Sequence, residues 1–281
     1  MLAVTTRQPR LATTVMKVAG LWLIVTMVLA LFPLYAVDFR DYFLPATKVA
    51  LAGGNPYSIE GFYNPPWTLL VIAPIAWLPG QMAQAAFLST ALFVTGFALY
   101  RLGIKALSAT MIMLSLPAIS MVAFGNLEWL VLLGLLMPPW LGLFLVLIKP
   151  QVGIGVLLYW VIVRWKKDGT RGVIKMLMPV TGALGLSLVA YGLWPLHLLG
   201  AAERSTGTGG NVAAFPFLIP FGIWILYRAV MAKKPVDALA AGPCFSPHLM
   251  GSSWVGAFLL LADNHMLLGV AVVLSWVFCW R

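Results

Sequence analysis

Long apolar runs, separated by short clusters of polar and charged residues, make up most of this chain. A helix needs about twenty apolar residues to cross the hydrocarbon core of a bilayer. Runs close to that length cover 18–36, 82–100, 106–124, 177–193 and 212–227. Between 130 and 165 the apolar pieces are shorter, because Pro138-Pro139 and Lys149-Pro150 interrupt the helical pattern. The pattern predicts an all-α polytopic membrane protein with about nine to eleven helices, several of them short.

The composition supports the prediction of a membrane protein and excludes one class of partner, nucleic acid. The 281 residues are 62% hydrophobic and 9% charged, which is more apolar surface than a soluble core absorbs. A net charge of +10 would indicate nucleic acid binding in a soluble protein. Here the Lys and Arg residues lie in short clusters between apolar runs, the pattern that sets membrane orientation. We expect one integral membrane domain over residues 1–281, surrounded by membrane lipids, and no nucleic acid partner.

The distribution of basic residues predicts a cytoplasmic N-terminus in the plasma membrane. Arg7, Arg10 and Lys17 precede the first apolar run, and the strongest basic cluster lies at 164–175. A cleaved signal peptide shows the same order of basic and apolar residues, but its apolar core is usually about 7–15 residues long. The longer run at 18–36 favours a retained membrane anchor, after which the chain emerges on the extracytoplasmic side.

The first outer segment, about 38–81, is predicted to lie along the outer membrane surface as a platform. Its apolar piece at 66–78 is too short to cross a bilayer, and prolines flank it. If this piece crossed the membrane, Arg101 and Lys105 would face outward, against the positive-inside rule. Because successive membrane helices end on alternate sides of the membrane, a second outer loop is predicted at about 194–211.

The platform gathers three of the chain's eight acidic residues, Asp38, Asp41 and Glu60. Asp38 and Asp41 are three residues apart, so they share one face of a helical turn. One interpretation is that one of them is a general base that deprotonates an acceptor hydroxyl. The alternative is that both mark the membrane boundary or pair with Arg40 and Lys48.

Other polar residues also allow two interpretations. Lys149 precedes a helix-breaking proline between apolar runs, and its ammonium group either binds a phosphate or snorkels to the interface. Asn126 and Glu128 either contact a substrate or begin a helix, where the dipole favours an acid. Tyr57 either supports a sugar or anchors the membrane interface. The cysteines and histidines form no metal motif, so we expect no cofactor, and the need for a divalent metal stays open.

An ordered set of short motifs resembles glycosyltransferase family 87. The motifs are, in chain order, Asp38-Phe39, Tyr42, 50–57 (ALAGGNPY), 62–67 (FYNPPW), Pro74, Gly125-Asn126, Lys149-Pro150-Gln151 and Ser246-Pro247-His248. Members of this family are polytopic enzymes of the GT-C fold that use a polyprenyl-phosphate sugar, typically mannose. They tend to be longer than this chain, and the region 127–165 is compressed here.

The resemblance implies an inverting sugar transfer on the extracytoplasmic side, from a polyprenyl-phosphate donor to a lipid or glycan acceptor. It maps the catalytic base onto Asp38, with Asp41 in reserve. It implies that the donor phosphate is bound by Lys149, Arg40 and Gln151. The residues expected to contact substrate are Tyr57, Asn64, Asn126, Glu128 and His248.

Two other classes of function remain as alternatives. A transporter or flippase of a lipid-linked substrate would also have broken helices and a few buried charges, although the two halves of this chain show no repeat. A non-catalytic membrane subunit would explain the short length, but this class of function does not explain the acidic, proline-rich platform.

Overall fold

The computed structural model describes residues 8–197 and 211–278, which fold into helices, turns and loops without a strand. Helix α1 (Gln8–Leu29) is followed by a π-helical turn (Asp38–Phe43), α2 (Leu44–Leu51), a 3-10 turn (Pro56–Ser58) and α3 (Thr68–Ala76). The next helices are α4 (Gly80–Arg101), α5 (Ala106–Met113), α6 (Leu116–Ala123), α7 (Glu128–Leu135) and α8 (Pro139–Val146). The remaining helices are α9 (Pro150–Tyr191), α10 (Ile219–Ala232), α11 (Pro235–Leu239), α12 (Val255–Leu260) and α13 (His265–Phe278), with 3-10 turns at Gly242–Phe245 and Gly251–Trp254. Most of the second outer loop predicted at about 194–211 lies outside the described residues.

Within the described residues, α4 and α9 are long and apolar enough to cross a membrane. The pair α5 and α6 makes a third candidate if it forms one span, although the two helices are bent by 59°. These apolar helices fit a membrane protein, and α4 confirms the long helix predicted at 82–100. The bend corrects the continuous helix predicted at 106–124. The Ser115 hydroxyl accepts a hydrogen bond from Ala118 N–H and caps α6, so a new helix begins there.

The N-terminal helix is shorter at its C-terminal end than the sequence pattern predicted. The apolar run extends over 18–36, whereas α1 ends at Leu29 and the chain continues as a turn and a loop. Trp22 Nε1 of α1 donates a hydrogen bond to Thr90 Oγ1 of α4 at 3.1 Å, which joins the two helices. Most side chains of α1 from residue 13 onward are exposed, as expected for a helix that faces lipid on its outer side.

The predicted platform packs as a layer of short helices against α4. Phe39 of the π-helical turn stacks on Phe87 of α4 with ring centroids 4.3 Å apart, and both rings are buried. The first part of the platform is formed by the π-helical turn and α2, which follow each other without a break. The apolar piece predicted at 66–78 forms α3, whose nine residues are too few to cross a bilayer.

Helices α7 and α8 form a short hairpin, so the end of α8 lies beside the start of α7. Each has eight residues, which corresponds to a length of about 12 Å. Gly134 of α7 and Gly142 of α8 pack so closely that a Cβ on either would press on the backbone oxygen of the other. Because the two helices are equal in length, Glu128 at the start of α7 and Lys149 just before α9 lie at the same end. The breaks predicted on both sides of α8 are confirmed.

Helix α9 reverses direction at Gly169, whose φ of 63° and ψ of −164° are not helical. Ile148, two residues before the first helical residue, accepts a hydrogen bond from Asn64 Nδ2 at 2.9 Å. Tyr191, at the other end, packs on Tyr57 with ring centroids 6.0 Å apart, and the Tyr57 hydroxyl donates to Asn64 O at 2.9 Å. A straight helix of 42 residues would separate its ends by about 60 Å. The two ends of α9 therefore lie close together. The basic cluster at 164–175 lies on both sides of the reversal at Gly169.

Candidate functional site

A continuous hydrogen-bonded network connects the π-helical turn with the start of α9 through Asp38, Asn126, Ser252, Glu128 and Lys149. Asn126 Nδ2 donates to Asp38 Oδ2 at 2.7 Å and to Ser252 Oγ at 3.5 Å. Ser252 Oγ donates to Glu128 Oε1 at 2.6 Å, and Lys149 Nζ donates to the same oxygen at 2.7 Å. We refer to these side chains as the Asp38–Lys149 network. It joins segments that are up to 214 residues apart in the chain, from residue 38 to residue 252 (252 − 38 = 214).

Two backbone hydrogen bonds hold Asp38 against the end of α6. Ala36 N–H donates to Ala123 O, and Asp38 N–H donates to Phe124 O, each at 2.8 Å. The chain leaves α6 through Gly125, whose φ of +73° is in the left-handed region that favours glycine. This turn brings Asn126 to the Asp38 carboxylate. A π-helical turn at this position is also notable, because such turns are frequent at functional sites.

Replacing Gly125 by Ala is expected to weaken both the fold and the site. An added Cβ would lie 2.8 Å from Phe39 Cβ and 3.2 Å from Phe39 N, in addition to the cost of a positive φ. Gly103→Ala is the matched control, because Gly103 has a φ of +77° but no atom within 4 Å of an added Cβ. We expect losses in the free energy of unfolding of about 1 kcal/mol for Gly103→Ala and about 2 kcal/mol or more for Gly125→Ala. Chemical denaturation in detergent measures both, and equal losses would contradict the close contact with Phe39.

The Asp38 carboxyl has the electrostatics of a proton acceptor. Burial raises its pKa from the usual value of 3.8 to about 6. The positive charge of Lys149 opposes this shift, the charges of Glu128 and Asp41 add to it, and the hydrogen bond from Asn126 opposes it. The residue is partly exposed. A carboxylate with a pKa close to the operating pH is well suited to general base catalysis.

Glu128 and Lys149 form the buried ionic part of the network. Their side chains are 0% and 6% exposed, and the pair is isolated from water by apolar neighbours in the two core clusters. Glu128 Oε2 is buried and has no hydrogen-bond partner in the described structure, although Oε1 has two. A buried carboxylate oxygen without a partner is costly and is uncommon in folded proteins. The two oxygens of the Glu128 carboxylate therefore differ: Oε1 accepts two hydrogen bonds and Oε2 accepts none in the described structure.

Arg40 and Asp41 lie in the same π-helical turn but outside the network. The Arg40 guanidinium donates to both carboxylate oxygens of Asp41, at 2.7 and 2.8 Å, and the two side chains are 47% and 41% exposed. The hydrogen bond from Arg40 holds the pKa of Asp41 below its usual range. This is the pairing that the sequence had offered as the alternative to catalysis. Asp41 is thus an ionised surface residue, whereas Asp38 is the carboxylate joined to the network.

Tyr57 and Asn64 support the start of α9 from the platform. The Tyr57 ring is stacked with the rings of Trp194 and His197, with centroids 5.5 and 5.7 Å away, and it is buried. Asn64 donates to Ile148 O, one residue before Lys149. Gln151 lies in the first turn of α9 and is partly exposed. Tyr57 also lines an open pocket of about 180 Å³ whose other lining residues are Ser58, Ile59, Glu60, Gly61, Phe62, Tyr63 and His197.

The C-terminal contribution to the network was missed by sequence reasoning. The motif at 246–248 had indicated His248, whose pKa is lowered by burial and by the nearby charge of Lys149. Ser252, four residues later, is the residue that enters the network, with only 3% of its surface exposed. Ser252 and Ser253 are adjacent and identical in type, so the sequence carried no signal that distinguished the one from the other.

The charges of the network suit an acid–base step beside an anion. Asp38 can accept a proton, and Lys149 is a buried cation that can compensate negative charge. No cluster of three His, Cys, Asp or Glu side chains that could hold a metal ion occurs in the residues that the structure describes. An apolar pocket of about 320 Å³ lies close by, between the two halves of α9, and is also lined by Trp67 and Leu147.

Comparisons with known proteins add no relative. No protein-family profile, no curated protein and no solved structure matches the chain. The resemblance to glycosyltransferase family 87 therefore rests on the ordered motifs.

Proposed function

We propose that this protein is a membrane glycosyltransferase that moves a sugar, typically mannose, from a polyprenyl-phosphate donor to the hydroxyl group of a lipid or glycan acceptor. The observation that carries the proposal is the hydrogen-bonded connection between a carboxylate of raised pKa, Asp38, and a buried ammonium group, Lys149. Both residues belong to the motifs that resemble glycosyltransferase family 87, as do Asn126 and the polar platform. The network that joins these residues in the structure supports the proposal.

In the proposed reaction, Asp38 is the general base. It accepts the proton of the acceptor hydroxyl while that oxygen attacks the anomeric carbon of the donor sugar. The bond between the anomeric carbon and the phosphate oxygen breaks on the opposite face, which inverts the configuration. The bonding electrons leave with the polyprenyl phosphate, and the Lys149 ammonium group compensates its increasing negative charge.

The surroundings of Lys149 suit a donor that is part phosphate and part hydrocarbon. The apolar pocket between the halves of α9 is lined by Trp67, Leu147, Leu157, Leu158, Val161, Leu177, Val180, Thr181 and Leu184. Leu147 is two residues before Lys149, and we propose that this pocket holds part of the hydrocarbon chain of the donor. We propose a GT-C-like bundle with this site on the extracytoplasmic face, because the basic cluster at 164–175 surrounds the opposite end of the α9 hairpin.

Transfer of radioactive sugar tests the function directly. Purified protein in detergent is given polyprenyl-phosphate mannose with a labelled sugar, together with a lipid extract as acceptor. We expect a labelled lipid or glycan product that is absent without the protein. A labelled sugar nucleotide serves as the matched donor control, and we expect no product from it. Product formed from the nucleotide alone would contradict the proposed donor class, and movement of intact donor across vesicle membranes without a new product would favour the flippase alternative.

The pKa of Asp38 predicts the acid limb of the pH profile. Because the pKa is raised to about 6, the carboxylate is ionised above that pH and becomes protonated below it. We expect kcat/KM to be constant at neutral pH and to fall about tenfold per pH unit below pH 6. Initial rates across the acidic range measure this limb. A midpoint near the ordinary pKa of an aspartic acid would contradict the assignment of Asp38 as the base.

A further inference from the structure

We propose that Glu128 is an internal counter-ion that competes with the donor and product phosphate for Lys149, and that it thereby promotes release of the phosphate product. The inference rests on the proposed function, because it takes Lys149 as the phosphate-binding group. It assigns Glu128 a role as a positioning residue that acts through Lys149 and not on the sugar.

The charge balance of the network carries the first step. Glu128 and Lys149 are the two charged residues that are fully buried among the described residues, and they neutralise each other at 2.7 Å. Asp38 and His248 also face this pair, since both sense the charge of Lys149 and Asp38 also senses Glu128. A phosphate that approaches Lys149 therefore meets two acidic groups, Asp38 and Glu128. Lys149 is the one side chain of this group that is fully cationic. Glu128 is the acid that pairs directly with Lys149.

The hydrogen bonds of Glu128 carry the second step. Oε1 accepts from Lys149 and from Ser252, whereas the buried Oε2 has no partner in the described structure. When Lys149 turns to a phosphate, Glu128 keeps the hydrogen bond from Ser252 and is not left without any donor. The Ser252 hydroxyl thus lowers the cost of releasing Lys149.

The charge of the product explains why the Glu128–Lys149 pair would assist product release. The donor is a phosphodiester with one negative charge, whereas the released polyprenyl phosphate is a monoester that carries about −1.5 to −2 at neutral pH. A lone buried lysine would therefore hold the product more tightly than the substrate. A carboxylate that can take Lys149 back reduces the affinity for both ligands and prevents a slow product release, a step that limits many enzymes.

The test is the affinity for an anionic phosphodiester in the purified, full-length protein. The probe is dibutyl phosphate, measured by isothermal titration calorimetry, with neutral tributyl phosphate as the probe without charge. We expect Glu128→Gln to bind dibutyl phosphate about 10-fold more tightly than wild type. Glu128→Asp, which keeps the charge, is expected to stay close to wild type. Asp263→Asn is the matched control, because it removes an acid from an exposed pair with Lys234, and we expect no change.

The outcomes separate this inference from the proposed function. Tighter binding in Glu128→Gln that disappears in Glu128→Gln/Lys149→Gln supports both. Equal or weaker binding in Glu128→Gln, with a phosphate site that still requires Lys149, overturns the counter-ion role and leaves the proposed phosphate site standing. Binding that does not depend on Lys149 in any variant overturns both.

Ser252→Ala provides a second test that does not place an unpaired charge in the protein. Without the Ser252 hydroxyl, Glu128 depends on Lys149 alone and should hold it more strongly. We expect dibutyl phosphate to bind about threefold more weakly to this variant. A purely structural Ser252 would change the thermal stability and leave the affinity unchanged, and that result would overturn the inference even if Glu128→Gln did not fold.

Discussion

Asp38→Asn is expected to abolish sugar transfer while the protein remains folded. The asparagine Oδ1 can still accept the hydrogen bond that Asn126 Nδ2 donates at 2.7 Å, so the geometry of the network is retained. The amide cannot accept a proton from the attacking hydroxyl, and a positioned general base contributes about 10²–10⁴-fold to the rate. We therefore expect the initial rate of transfer to fall by about 100-fold or more. The thermal unfolding temperature should not fall, because a neutral amide avoids the cost of burying a carboxylate that raises the pKa of Asp38.

Asp41→Asn is the control for this experiment, since it changes the neighbouring acid in the same helical turn. Asp41 is an exposed partner of Arg40, and it lies outside the Asp38–Lys149 network. We expect a transfer rate close to that of wild type, because Asp41 is not joined to the network, and an unchanged stability, because exposed ion pairs contribute little to it. An active Asp38→Asn variant together with an inactive Asp41→Asn variant would reassign the base to Asp41.

Lys149→Ala is expected to have two effects, a lower affinity for the donor and a lower stability. Removal of the ammonium group leaves the Glu128 carboxylate buried with only Ser252 as a hydrogen-bond donor. Breaking a buried ion pair by removing one partner typically costs about 3–5 kcal/mol. We expect a loss of this size in the free energy of unfolding and an increase in the apparent KM for the polyprenyl-phosphate sugar. Chemical denaturation and initial rates at varied donor concentration measure the two effects.

The double variant Lys149→Ala/Glu128→Gln separates stability from binding. It removes both charges, so it should recover most of the stability that Lys149→Ala loses. The weak donor affinity should persist, because no ammonium group remains near the phosphate. A double variant that regained the wild-type KM would show that Lys149 acts only through the fold, and it would refute its role in phosphate binding.

The helical character of the protein was predictable from short stretches of sequence. The lengths of the apolar runs predicted α4, and the prolines in Pro138-Pro139 and Lys149-Pro150 predicted the breaks on both sides of α8. These features depend on local chemistry, because a proline removes a backbone donor and blocks the preceding turn wherever it occurs in a helix. The bend between α5 and α6 was missed, since Ser115 acts as a cap only when the following residues take up helical conformation.

The sequence by itself also selected most of the polar residues that matter, because ionisable groups in an apolar chain are few and costly to bury. The residue types alone did not distinguish Asp38 from Asp41, which are chemically identical and three residues apart, and only the resemblance placed Asp38 first. The tertiary structure gives the two side chains different partners: Arg40 pairs with Asp41 at the surface, and Asn126 joins Asp38 to the network.

The pairing of Glu128 with Lys149 and the entry of Ser252 were likewise decided only by the tertiary structure. Glu128 and Lys149 meet because α7 and α8 have equal length and pack through Gly134 and Gly142, which returns the chain to its starting level. Such contacts depend on the distances between helices that are remote in the chain. The composition and spacing of the sequence determined which polar and ionisable side chains lie among the apolar runs, whereas the packing of backbone on backbone determined which of them are in contact.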